Sequence, residues 1–179
     1  MKKIENLIDG TAIAYFLAYK CLVERNKEVS DYYQDELSVY IFPAATVAAF
    51  SCEVAIKNLL MIENGKTKGG HDLQNLFYAL SKETQRKYLQ STVHLNNLAC
   101  SVYSKESTFT PADFTEKLNK NRLTFTKCRY LYEGIESIDL DFMEAFMFAL
   151  NDIENDYSAF LDSKIRSHKT NVCTNAWNK

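Results

Sequence analysis

Three short stretches hold the residues whose types and spacing could do chemistry. The first is GKTKGGHD, Gly65 to Asp72, with three of the chain's five glycines and one of its three histidines. Successive glycine amides can wrap an anion, and a histidine beside them can move a proton. A phosphate-cradling loop, however, needs G-x-x-x-x-G-K-[ST] spacing between a strand and a helix, and neither condition is met. The plainer reading is a connection between two helices, with Asp72 capping the second and His71 bonded across the turn. The second stretch holds Glu53 and Lys57, four apart with the acid first, so they can pair along one helical turn. Thr46 falls on the same line. Such a line on an apolar helix is a satisfied structural pair, an exposed face, or a substrate-binding strip. The third is EKLNKNRLTFTKCRYLYEG, Glu116 to Gly134, where Lys117, Lys120, Arg122, Lys127 and Arg129 oppose only Glu116 and Glu133. Helical spacing puts Arg122 and Arg129 seven apart, on nearly the same side of one helix. They either clamp phosphates or a partner, or lay their stems over the core with their heads in water or on Glu133.

Several function classes are excluded at this level. The formal charge is −2, so contact with nucleic acid has to come from a local patch and not from a global basic excess. The five cysteines, Cys21, Cys52, Cys100, Cys128 and Cys173, form no C-x-x-C pair. That argues against a zinc site or disulfide framework and for a reducing cytoplasm. Cys21, Cys52 and Cys128 fall at apolar helical positions and read as small core residues. No G-x-S-x-G or H-E-x-x-H occurs, and neither a metal nor a cofactor is expected. The N-terminal apolar stretch carries Glu5, Asp9 and Lys20 and reads as a helix and not as a signal peptide. The most apolar run, Ala44 to Ile62, is interrupted by Glu53 and Lys57, which argues against a membrane span.

The elements that must position these residues are helical. Two prolines and five glycines are too few for a protein of hairpins, while 46% apolar residues suffice for a core. Apolar spacing predicts a helix over Ile4 to Arg25, followed by a polar connection through residues 26–38. A central helix runs from about Phe42 to Glu63, with Pro43 in its first turn and Asn64-Gly65 as its stop. A helix capped by Asp72 follows, then one capped by Ser81 that runs to about Leu89. Thr110-Pro111 opens a helix through Phe114, Leu118, Phe125, Cys128 and Tyr132, ending near Gly134. The last helix puts Phe142, Phe146, Leu150, Ile153, Tyr157 and Phe160 on one face and Glu144, Asn151, Asn155 and Ser158 on the other. The expectation is an all-α, single-domain bundle of five or six helices over residues 1–163, with a polar, basic tail over 164–179.

FPAATVAAFSCEVAIKNLLMIENG, KGGHDLQNLFYAL and RLTFTKCRYLYEG, taken in order, resemble the HEPN superfamily. These are all-α domains of bacterial and archaeal toxin–antitoxin and phage-defence systems and of larger RNases. The resemblance spans roughly Phe42 to Phe160. It rests on a helix with A-x-x-x-[IL]-K, then G-H-D-L-x-x-L, then R-Y-x-Y-E. It implies a helical bundle that forms a homodimer. In active members an Arg and a His in R-x(4–6)-H, joined across the dimer, cut RNA without a metal. This chain departs there: Arg86 to His94 is R-x(7)-H, and Arg122 reaches Arg129 where a histidine would stand. Arginine stabilises phosphate charge but cannot act as a base at neutral pH. The resemblance therefore implies a non-catalytic or degenerate binding or regulatory module in a defence or toxin–antitoxin setting. It would contact RNA, a nucleotide, or a partner such as a nucleotidyltransferase-like antitoxin through Arg122, Arg129, Lys120, Lys127, Glu53 and Lys57, with no membrane. Two alternatives stay open. One is a metal-independent endoribonuclease with an unconventional site at Arg122, Arg129 and His71, and the other is a purely structural interaction domain.

Overall fold

The central element is the long apolar helix that begins at Ile41, and four other helices pack against it. The computed structural model describes the backbone of residues 2–32, 40–103, 108–129 and 138–162, and the side chains of these except 2–9, 27–32 and 129. Seven α-helices occur among the described residues: α1 (Lys2–Tyr32), α2 (Ile41–Asn64), α3 (Leu73–Phe77), α4 (Lys82–Val102), α5 (Pro111–Asn121), α6 (Thr124–Arg129) and α7 (Leu140–Leu150). A 3-10 turn, Glu154–Asp156, and a helical stretch over 157–162 follow. The fold is all-α, with no strand among the described residues. The expected tail over 164–179 lies outside them.

α2 packs against α1, α3, α6 and α7, while α4 packs on α7 and α5. Alanines at 44, 45, 48, 49 and 55 are buried, so neighbouring helices approach the α2 backbone closely. By length and composition α2 could cross a membrane, but 56% of its most apolar window is buried inside this fold. The core centres on two aromatic groups. Phe77, Phe114, Phe142 and Phe146 interlock with centroids 5.3–5.7 Å apart. Phe16, Tyr157 and Phe160 surround Phe148 at 4.8–5.2 Å. Each such ring removed from water stabilises the fold by about 1.5–3 kcal/mol.

The helix starts follow local rules. Asp72 accepts from the Asn75 amide, Ser81 from the Thr84 amide, and Thr110 and Asp113 form a capping box with Pro111 in the first turn. Gly65 ends α2 in the left-handed region at φ +67°, which its missing Cβ permits.

The lengths differ from expectation in four places. α1 runs into the segment read as a connection, as far as Tyr32. α4 continues past Leu89 to Val102, because its polar side chains are satisfied on the helix itself. Thr92 donates to the Tyr88 carbonyl and Asn96 to the Thr92 carbonyl. The helix expected from Thr110 to Gly134 breaks at Arg122-Leu123. There the Asn121 carbonyl accepts from the Thr124 hydroxyl, and the Arg122 carbonyl accepts from the Leu73 amide. Residues 130–134 lie outside the described residues. The last helix ends at Leu150, where Asp152 turns left-handed at φ +52°. Its amide bonds the Ala149 carbonyl and the Ile153 amide bonds the Phe148 carbonyl, the paired bonds of a Schellman cap. Lys87 and Tyr88 hold the Asp152 carboxylate from α4.

Candidate functional site

The site grows from the polar line on α2. Thr46, Phe50, Glu53 and Lys57 recur at spacings of four, three and four, which place them on one face. That face meets α6 and the glycine loop. Phe50 stacks on Phe125 of α6 at 4.9 Å. The Thr46 hydroxyl meets the Cys128 thiol, whose burial pushes its pKa up against the lowering effect of that contact. Glu53 is the pivotal member. It is 2% exposed, and its Oε1 accepts from Lys57 Nζ at 2.7 Å.

His71 reaches the same carboxylate from the loop. Its Nδ1 lies 3.0 Å from Oε1 and 2.9 Å from Oε2 of Glu53. An ionised carboxylate only accepts, so Nδ1 carries the proton and donates. The neutral imidazole then has Nε2 as its acceptor nitrogen on a side chain that is 50% exposed. The ring packs 5.2 Å from Phe125, which fixes its tilt. A buried carboxylate that fixes the tautomer of a half-exposed histidine is an arrangement able to take up or deliver a proton at Nε2.

The adjoining residue closes the loop onto α5. Asp72 caps α3, and its Oδ2 pairs with Arg122 Nη1 at 3.8 Å, while the Leu73 amide donates to the Arg122 carbonyl. Lys68 Nζ donates to the Asn75 carbonyl. Gly70 holds φ +93°, a left-handed backbone that turns the chain into His71. The glycines serve as a hinge, and the loop meets Lys57 through the shared Glu53 carboxylate and Arg122 through Asp72.

The predicted residues therefore divide. Glu53, Lys57 and His71 come together, and Arg122 pairs with Asp72, the residue after His71. Glu133 lies outside the described residues. Lys120 is exposed on α5, where its charge and the Lys117 ion pair act on Asp139. Lys127 is exposed on α6. Arg129 closes α6, and its side chain lies outside the described residues. The expectation that Arg122 and Arg129 share one side of a continuous helix is corrected by the break at 122–123. Cys21 is a second correction: Cys52 and Cys128 are buried, but Cys21 is exposed on α1.

The largest miss is Glu144, expected on the polar face of the last helix. It is 1% exposed and accepts from the Tyr19 hydroxyl of α1. Burial, followed by the Glu144 charge, raises the pKa of Tyr19 and Tyr157 and pushes Tyr103 up to about 12. The even alternation of α7 hid this, because a single acid in an otherwise apolar helix looks like its solvent face. The Tyr19–Glu144 pair is sealed in the core and ties α1 to α7. Among the described residues no group of three or more His, Cys, Asp or Glu side chains could hold a metal ion. Compared with protein-family models, with curated proteins and with solved structures, the chain matches none of them.

Proposed function

We propose that the chain is a HEPN-like binding or regulatory module that contacts RNA or a nucleotide through the cationic rim of the glycine loop. The observation that supports this reading is the pairing of Glu53 with His71. It holds a half-exposed imidazole beside Lys57, while Arg122 stands at the neighbouring Asp72. Leaving His71 uncounted, Lys57, Lys68 and Arg122 exceed the Glu53 and Asp72 carboxylates by one charge, on a chain whose formal charge is −2. The defence or toxin–antitoxin setting, the homodimer and a nucleotidyltransferase-like partner rest on the resemblance alone.

A second reading is favoured by one specific feature. Arg122 and His71 are remote in sequence, yet Asp72 brings them to the same loop. A metal-independent endoribonuclease would use neutral His71 Nε2 as base toward a ribose hydroxyl and Arg122 as the counter-charge for the phosphate. Incubating the wild type and a His71→Ala variant with total RNA separates the two readings. The binding module leaves RNA intact, and its affinity falls steeply with salt. In a Lys57→Ala/Arg122→Ala variant the log–log salt slope shrinks by about 1.4, since each phosphate contact contributes roughly 0.7 on a single strand. Cleavage by the wild type but not by His71→Ala replaces the first reading with the second. An unchanged slope removes both Lys57 and Arg122 from the contact.

A further inference from the structure

One feature that begins at the rim is aromatic and not charged. Four rings from four different elements stand in sequence: Tyr15 of α1, Phe50 of α2, Phe125 of α6 and His71 of the loop. Tyr15 meets Phe50 edge-on at 4.6 Å, Phe50 and Phe125 stack at 4.9 Å, and Phe125 meets His71 at 5.2 Å. None of the four is buried, and His71, the terminal ring, is the most open. Tyr15 and Phe50 stand outside the main apolar cluster, whose only member of the four is a partly buried Phe125 at its edge. The row is therefore a surface feature laid over the bundle. A fold that needed only apolar area there would place the rings inward, as it does with Phe146 and Phe148.

The charge beside the row indicates what it fits. Lys57 shares the Glu53 carboxylate with the terminal ring, and Arg122 pairs with the residue that follows it. Aromatic faces bordered by cations suit a ligand that alternates flat rings with phosphates. Bases stack on any such face, and the cations follow the backbone. A duplex buries its base faces in the helical stack and presents phosphates and groove edges, so it cannot stack on the ring. A partner peptide would have to be acidic and aromatic at once to match the same pattern. We infer that half-exposed His71, the end ring of the column built on Phe125 and Phe50, is a base-stacking platform and that the ligand of the rim is single-stranded nucleic acid. This rests on the phosphate-rim reading and deepens it, because stacking requires unpaired bases.

The test uses the full chain and fluorescence anisotropy with three labelled probes of equal length: single-stranded oligoadenylate, an abasic strand with the same phosphates, and a blunt duplex. Stacking of one or two bases predicts that the abasic strand and the duplex bind at least 10-fold more weakly than oligoadenylate. Phe125→Leu loses about the same factor toward oligoadenylate with its salt slope unchanged. Phe125→Tyr, which keeps the ring, retains binding. Circular dichroism confirms that both variants are helical, and the wild-type comparison of probes stands even if Phe125→Leu is unfolded. Equal affinity for the base-bearing and abasic strands overturns the platform and leaves the phosphate rim in place. Binding of the duplex as tightly as the single strand also overturns it. Failure of all three probes to bind removes the platform together with the reading on which it rests.

Discussion

Replacing Lys57 and His71 together by alanine strands the Glu53 carboxylate, and the cost can be worked from the exposures of the three groups. Glu53 is 2% exposed, against 23% for the Lys57 side chain and 50% for that of His71. The carboxylate has no route back to water, whereas both donors have one. Removing one donor deletes a hydrogen bond to a charged group worth about 1.5–3 kcal/mol when fully buried. Because each donor already touches solvent, about 1–2 kcal/mol is the expected loss for Lys57→Ala or His71→Ala alone. Removing both leaves an uncompensated buried charge, and about 3–5 kcal/mol is lost. The opposite deletion is mild. In Glu53→Met an apolar chain of similar volume takes the buried position, and Lys57 and His71 turn outward, so the change stays within about 1 kcal/mol.

Urea unfolding followed by far-ultraviolet circular dichroism measures the series. With a slope of roughly 2–3 kcal/mol per molar for a chain of this size, the double variant moves the midpoint down by about 1–2 M. Glu53→Met moves it by less than about 0.5 M. A midpoint for Glu53→Met as low as that of the double variant would refute the reasoning. It would mean that the carboxylate stabilises the fold through its own contacts and does not depend on its partners for toleration. The comparison also bears on function, since Glu53→Met should fold well yet leave the His71 ring without its anchor.

Three further outcomes are expected. Tyr19→Phe removes the hydroxyl that donates to buried Glu144 and should lower stability by about 1.5–3 kcal/mol, while Tyr15→Phe, on a partly exposed ring, stays within about 0.5 kcal/mol in the same unfolding assay. Thr110→Ala breaks the capping box and should cost about 1 kcal/mol, with faster amide exchange in the first turn of α5. Burial acts to raise the Asp139 pKa, but the Lys117 ammonium and the Phe142 amide outweigh it, and the carboxyl is held below its usual value. A depressed folded-state pKa means that this contribution is complete above the unfolded value of about 3.9 and is lost as pH falls through the folded one. Asp139→Asn should therefore flatten the acid limb of stability below about pH 4, as read from urea midpoints across that range.

What was legible in the sequence is what a few neighbouring residues decide. Asp72, Ser81 and Thr110 each satisfy an amide two or three residues on, and Gly65 supplies a left-handed turn, so helix starts and one stop could be read from spacing alone. The central place of α2 was legible for a related reason, since a helix apolar nearly all round has to be covered on all sides. The misses share a cause in distance along the chain. The break after Asn121 depends on the Leu73 amide reaching the Arg122 carbonyl across some fifty residues. Glu144 was assigned to water because its donor, Tyr19, lies 125 positions away. The Glu53–Lys57 pair was visible as a local spacing, while the third member, His71, arrives only when the loop folds back.

The two readings of the rim make opposite demands on one proton, because Nδ1 of His71 is committed to Glu53. Only Nε2 can change its state toward a ligand. Neutral His71 presents a lone pair there, which suits a base but repels a phosphate oxygen. Protonated His71 presents an N–H, which suits a phosphate but cannot accept a proton. A binding module should therefore take up a proton with its nucleic acid and bind more tightly as the solution is acidified, with the effect abolished in His71→Ala. An endoribonuclease that uses the same nitrogen as base should lose kcat/KM on acidification over the same interval. Affinity that is flat with pH in the wild type, or that still tightens on acidification in His71→Ala, would separate His71 from the rim and leave Lys57 and Arg122 as its charged members.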